Sequence, residues 1–161
     1  MFSVVDENVL IVANDLTRSS LGVAIRCPEA SPDCQLCAAN ELARLSRDGG
    51  LILDAGSEFF DKYRSCASMA GQPGVADAFL KVVFERGYDP NWCSRVTIQN
   101  NEIYLLPLEI LASGFDRDDL CWLAGAYNSA EPAEILNAVD SDYQEWTECI
   151  AHAGIIVREL C

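Results

Sequence analysis

The feature that most constrains this chain is an alternation. Short apolar runs rich in β-branched residues are separated by longer stretches of helical period, and three of the runs end in an acid. Phe2, Val4 and Val5 lead to Asp6, "LILD" (51–54) ends in Asp54, "EILNAVD" ends in Asp140, and "IIVREL" closes the chain. Such runs read as strands buried on both faces. Between them, Asp6 is placed to cap a helix carrying Val9, Leu10 and Val12. A helix over about 32–47 has Ser31 as N-cap, Pro32 in its first turn and Gly49-Gly50 as its stop. "SEFFDKYRSCASMA" and "VADAFLKVVFERG" read as two more helices, the second with Ala78, Phe79, Val82 and Val83 on one side. "DRDDLCWLAGAYNSA" and "SDYQEWTECIAHAG" each predict a helix. Residues 16–30 read as loop-like or loosely helical, "GQPG" as a turn, and "RVTIQNNEIYLL" as a short strand or hairpin bent at Asn100-Asn101. Strands alternating with helices predict a three-layer α/β/α sandwich around a mainly parallel sheet.

At 161 residues, half of them apolar, the chain suits one domain with a proper core, spanning 1–161. No basic region precedes a long apolar stretch at the N-terminus, and runs such as "VLIVA" are far short of a membrane span. The expectation is a soluble cytoplasmic protein with no membrane partner. The net charge of −14 repels nucleic acid unless cations or a local basic patch intervene; solubility alone also accounts for such a charge.

Eight cysteines and one histidine do not make a zinc set, and a chain of this size does not need disulfide staples. Cys34 and Cys37 share a helical stripe with Ala38, Leu42 and Leu45, and read as buried thiols acting as small hydrophobes.

The acids are more informative. Asp6, Asp54 and Asp140 end strands, Glu58 and Asp61 follow the second strand, Asp116, Asp118 and Asp119 open a helix, and Asp142 starts another. Each is an ordinary capping residue taken singly. Parallel strands finish on one edge, however, so these carboxylates should gather there and repel one another unless a cation intervenes. Hard oxygen ligands of this kind suit Mg²⁺ or Mn²⁺.

"VVDENVLIVAND", "FDRDDLCWLAGAYNSA" and "ILNAVDSDYQEWTECIAHAGIIVREL", in that order over essentially the whole chain, resemble a PIN-domain nuclease. The resemblance implies the same three-layer fold and metal-dependent cleavage of RNA by a metal-activated water. It makes Asp6 the first metal ligand with Asn8 in support and Asp119 the third carboxylate. Asp140 and Asp142 complete the cluster, and Asp116 and Asp118 assist. Where the family carries its second acid this chain has Lys62. Glu58 is the first replacement, Glu41 the second and Asp61 the third; the catalytic set is then Asp6, Glu58, Asp119 and Asp140. His152 reads as structural or surface.

Three functions follow as expectations. The leading one is a Mg²⁺/Mn²⁺-dependent endoribonuclease on single-stranded RNA, in a toxin–antitoxin or defence setting, with an antitoxin or other protein as partner. The second is a degenerate domain, its site neutralised by the Lys62 ammonium, that acts as an interaction module. The third is a phosphatase-like metal hydrolase on small substrates. The cations available for RNA are Arg18, Arg26, Lys62, Arg64, Lys81, Arg86 and Arg117, with Arg117 inside the acidic motif. Trp92, Trp122 and Trp146 offer stacking surfaces, although Trp122 falls on the apolar face of its helix.

Overall fold

The structure, a computed structural model, describes residues 1–161. Strand β1 (Phe2–Val5) is followed by α1 (Glu7–Ser20), α2 (Pro32–Asp48) and β2 (Leu51–Asp54). Next come α3 (Glu58–Cys66), α4 (Val75–Arg86) and β3 (Cys93–Val96), then a small hairpin of β4 (Gln99–Asn100) and β5 (Ile103–Tyr104). Helices α5 (Leu108–Leu111) and α6 (Leu120–Tyr127), strand β6 (Ala133–Asn137), helices α7 (Asp142–Glu145) and α8 (Thr147–His152), and strand β7 (Ile156–Glu159) complete the chain. Five strands form an all-parallel sheet in the order β3-β2-β1-β6-β7, flanked by helices as a three-layer α/β/α sandwich. Val4, Val5, Leu51, Ile52, Ile135 and Leu136 are fully buried, which is why these runs lack polar alternation. No helix is long and apolar enough to cross a membrane.

Chain order reverses between β1 and β6: β1, β2 and β3 proceed one way across the sheet, β6 and β7 the other. Val5 stands opposite Leu136 at this switch point, so Asp6 and the β6–α7 loop leave the same end of the sheet. Open α/β sheets leave a crevice for ligands at such a point.

Several expected elements are corrected. Helix α1 runs to Ser20, because the loop after it is tied back by Asp15. This buried carboxylate accepts the Arg26 and Cys27 backbone N–H groups at 2.9 and 2.7 Å. Helix α4 buries Ala76, Phe79, Leu80 and Val83, an i, i+3, i+4, i+7 stripe, and exposes Ala78. The hairpin bends one residue later than expected: Asn101 and Glu102 both have positive φ, 50° and 63°, as a tight hairpin turn requires. The stretch before it, Cys93–Val96, pairs with β2 as an edge strand. The helix expected over "SDYQEWTECIAHAG" breaks at Trp146, where the Thr147 hydroxyl donates back to the Tyr143 and Gln144 carbonyls.

Cys34 is not a free thiol. It is disulfide-bonded to Cys161, with Cα atoms 4.7 Å apart, while Cys37 is free and only half-buried. The bond exists because β7 runs beside α2, where Arg158 Nη1 donates to Glu41 Oε1 at 3.0 Å. A separation of 127 residues leaves no local trace of this neighbourhood.

One glycine brings the site's elements together. A Cβ on Gly125 of α6 would meet Phe59 Cζ at 2.7 Å, so its absence lets α6 close onto α3. Trp122 of α6 stacks on Tyr63 and packs against Phe59.

Candidate metal centre

Asp6, Asp119 and Asp140 converge at the switch point, each offering a carboxylate oxygen within 4.8 Å of the others. Three elements place them. Asp6 follows β1 and caps α1, its Oδ1 accepting the Asn8 N–H at 2.8 Å. Its Oδ2 accepts the Tyr143 hydroxyl at 2.9 Å, and the whole side chain is buried. Asp119 stands at the N-cap of α6, yet its side chain caps nothing and is left for the cluster. Asp140 follows β6; its Oδ1 accepts the Asp142 N–H at 2.9 Å, and its carbonyl accepts Asn137 Nδ2 at 2.9 Å. The preceding Val139 has φ 63°, a strained conformation for a β-branched residue and one that the surrounding contacts must impose. A second group, Asp116, Asp119 and Asp142, shares Asp119 and lies nearer the surface.

Electrostatics mark the cluster as crowded. Burial pushes the Asp6 carboxyl up to about 8, aided by Asp119 and Asp140 and opposed by the hydrogen bonds from Asn8 and Tyr143. Asp119 is pushed up to about 6, first by burial and then by Asp140, while Lys62 pulls the other way. Asp140 is raised too, by burial and by repulsion from Asp142 and Asp116. Carboxylates that resist ionisation together gain from a nearby cation, and an all-oxygen donor set is of the kind that suits Mg²⁺ or Mn²⁺.

A groove of about 730 Å³ adjoins the cluster, lined by Glu7, Glu58, Asp61, Lys62 and Gln99 among others. Glu58 faces it from the first turn of α3, held by Gln99 Nε2 at 2.6 Å and by the Tyr104 hydroxyl. Lys62 Nζ donates to Glu7 Oε2 at 3.2 Å, not to Glu58, and lies 5.5 Å from the Trp122 ring centroid. Burial works against the Lys62 charge, but the Glu7 and Asp119 carboxylates favour it, and its pKa is raised overall. Asp54 accepts the Glu58 and Phe59 N–H groups at 3.1 and 3.0 Å, which starts α3.

The remaining candidates divide clearly. Asp142 and Asp116 sit in the second group, and Asn8 contributes its backbone N–H to Asp6. Asp118 and Arg117 are exposed and outside both groups, and Arg117 makes no ion pair. Asp61 is exposed and accepts the Ser57 hydroxyl at 2.9 Å. Glu41 is committed elsewhere: Arg158 and Arg44 bind it at 3.0 and 2.9 Å, and the hydrogen bond from Arg158 is the main reason its pKa is lowered. His152 is exposed. Trp92 and Trp122 are core residues that no nucleic acid can reach, and Trp146 is half-buried.

Four contributors escape sequence reasoning: Tyr143, Asn137, Gln99 and Tyr104. Asn137 did carry a signal, as a carboxamide at the end of an otherwise apolar buried strand. No family model, no curated protein and no solved structure matches this chain.

Proposed function

We propose that this chain is a Mg²⁺- or Mn²⁺-dependent endoribonuclease acting on single-stranded RNA, with a PIN-like arrangement of acids. The observation that carries the reading is the meeting of Asp6, Asp119 and Asp140 at the switch point of a parallel sheet. A divalent cation held here would lower the pKa of a bound water and offset charge on the scissile phosphate. Asp6, Asp119 and Asp140 would hold it. Tyr143 and the Asn8 N–H fix the orientation of Asp6, and Asn137 fixes the Asp140 loop. Glu58, clamped by Gln99 and Tyr104 in the adjoining groove and outside both carboxylate groups, would serve as the second acid from the substrate side rather than as a ligand of the same cation. Asp142 and Asp116 would support a further cation through the shared Asp119.

Lys62 favours a second reading, in which the chain is an interaction module. Its ammonium is close enough to Asp119 to oppose that residue's protonation, so it competes with a metal for the same charge. Cleavage of a fluorescent single-stranded RNA with Mn²⁺ separates the two. The nuclease reading expects turnover by the wild type, none by Asp140→Asn, near-total loss in Glu58→Gln, and tighter Mn²⁺ dependence in Lys62→Glu. Absence of cleavage by every one of these proteins, with Mn²⁺ bound, leaves the module.

A further inference from the structure

Beyond the acidic groove, on the β2–β3 side, lies a second concavity of about 190 Å³, and the two share Asp54, Gly56 and Ser57. We propose that it is a subsite for one base of a single-stranded nucleic acid whose backbone runs through the groove. The proposal rests on the nuclease reading for what occupies the groove, and on separate residues for what occupies the pocket.

The lining is aromatic and unusually open. Tyr88 is 82 % exposed and Phe84 63 % exposed, and both border the pocket with the half-buried Phe60. Phe60 and Phe84 lie 6.1 Å apart between ring centroids, tilted by 30°. Large rings left in water beside one another mark a binding surface rather than a core. Arg95 makes the pocket selective. Its guanidinium sits 4.4 Å from the Tyr88 ring centroid, and its two terminal nitrogens donate to Gly87 O and Gly56 O at 3.0 and 2.8 Å. The cation is thereby fixed over the ring. A base extends that arrangement, because every base offers a π face and guanidinium planes stack on it.

Charge points to the same occupant. Asp54 is the pocket's one lining carboxylate, and both its oxygens are engaged by the backbone N–H groups that start α3. Asp54 keeps its charge and offsets that of Arg95 within the lining, and Arg64 stands 6.0 Å from the Phe60 ring centroid. In a chain of net charge −14, an aromatic pocket whose lining charges cancel, continuous with the acid-lined groove, suits the flat and uncharged base of a strand rather than its phosphates. Strand order fixes the spacing. Asp6 ends β1 and Arg95 lies on β3, two strands along the edge, about 10 Å away in the hydrogen-bonding direction.

The test measures binding without turnover. In the Asp140→Asn background, fluorescence anisotropy follows a short labelled single-stranded RNA and an abasic oligomer of the same length. Tyr88→Ala and Phe84→Ala, both at exposed positions, should weaken RNA binding roughly 5- to 100-fold. They should leave the abasic oligomer unchanged, and the same substitutions in the wild-type background should leave Mn²⁺ binding unchanged. Base-dependent binding that relies on Tyr88 upholds the subsite even if the wild type cleaves nothing, in which case only the nuclease reading fails. Cleavage by the wild type with RNA affinity indifferent to Tyr88 and Phe84 overturns the subsite and leaves the nuclease reading intact. Equal affinity for RNA and abasic oligomer, or no binding of either, also overturns it; a pocket that instead holds an apolar side chain of a partner protein would give that result.

Discussion

Replacing Asp6 by asparagine should make the metal-free protein more stable and the metal-dependent one useless. Asp6 is fully buried, and its carboxyl is pushed from an ordinary 3.8 up to about 8. An acid raised in this way binds its proton more tightly in the native state than in the unfolded one. Stability therefore falls as pH rises from about 4 towards about 8 and levels off above it. At pH 7 the penalty relative to acid is at most about 4 kcal/mol, and at pH 5 it is less than half of that. Asparagine carries no such penalty and keeps both contacts: Oδ1 can accept the Asn8 N–H, and the amide can donate to the Tyr143 hydroxyl oxygen. In chelator at pH 7, Asp6→Asn should melt up to roughly 8–16 °C above wild type, with the gap shrinking by more than half at pH 5. Mn²⁺ should reverse the trend, adding about 3 kcal/mol to the wild type at a hundredfold excess over Kd and nothing to the variant. Calorimetric melts at both pH values, with and without Mn²⁺, read all of this. Equal melting temperatures for the two metal-free proteins at both pH values would refute the reasoning, because Asp6 would then ionise without strain.

Three further outcomes follow from single contacts, one at the cluster and two at the disulfide. Tyr143→Phe removes the donor to Asp6 Oδ2, so calorimetry should find Mn²⁺ binding roughly 10- to 100-fold weaker with the fold intact; unchanged affinity would mean that Tyr143 does not orient this ligand. The Cys34–Cys161 bond closes a loop of 127 residues, worth about 2–5 kcal/mol, so reduction should lower Tm by roughly 5–15 °C. Denatured but unreduced protein should present six thiols to a thiol reagent, and eight without reductant would contradict the bond.

What the sequence makes legible is governed by local period. Strands β1, β2 and β6 and the start of α2 at Ser31 are visible because burial and a capping side chain leave their mark within a few residues, while the edge strand β7 shows only as a short apolar run. Asp6 and Asp140 are visible for a related reason, since parallel strands bring their ends to one edge; Asp119 opens a helix and is legible only from the order of the acidic motifs, and Asp54, also at a strand end, is spent on starting α3. Contacts set by packing between distant segments are not visible. Glu41 is the second replacement for the missing acid by sequence, but Arg158 of β7 reaches it on α2 and commits it to structure. Lys62 looks like a helix-surface partner of Glu58, whereas the approach of α1 gives it Glu7 and the hairpin gives Glu58 to Gln99 and Tyr104. The Cys34–Cys161 bond belongs to the same class, created by a neighbourhood that no window along the chain contains.

The central claim is that Asp6, Asp119 and Asp140 hold one divalent cation between them. Isothermal calorimetry with Mn²⁺, on the wild type and on Asp119→Asn, tests it most directly. Asp119 belongs to both carboxylate groups, half-buried at the start of α6 and free of any capping bond, so its loss should damage the site without unfolding the helix. Saturable binding by the wild type, abolished in Asp119→Asn while the melting temperature holds or rises, is the predicted result. Identical isotherms for the two proteins, or no binding by the wild type at millimolar Mn²⁺, would contradict it.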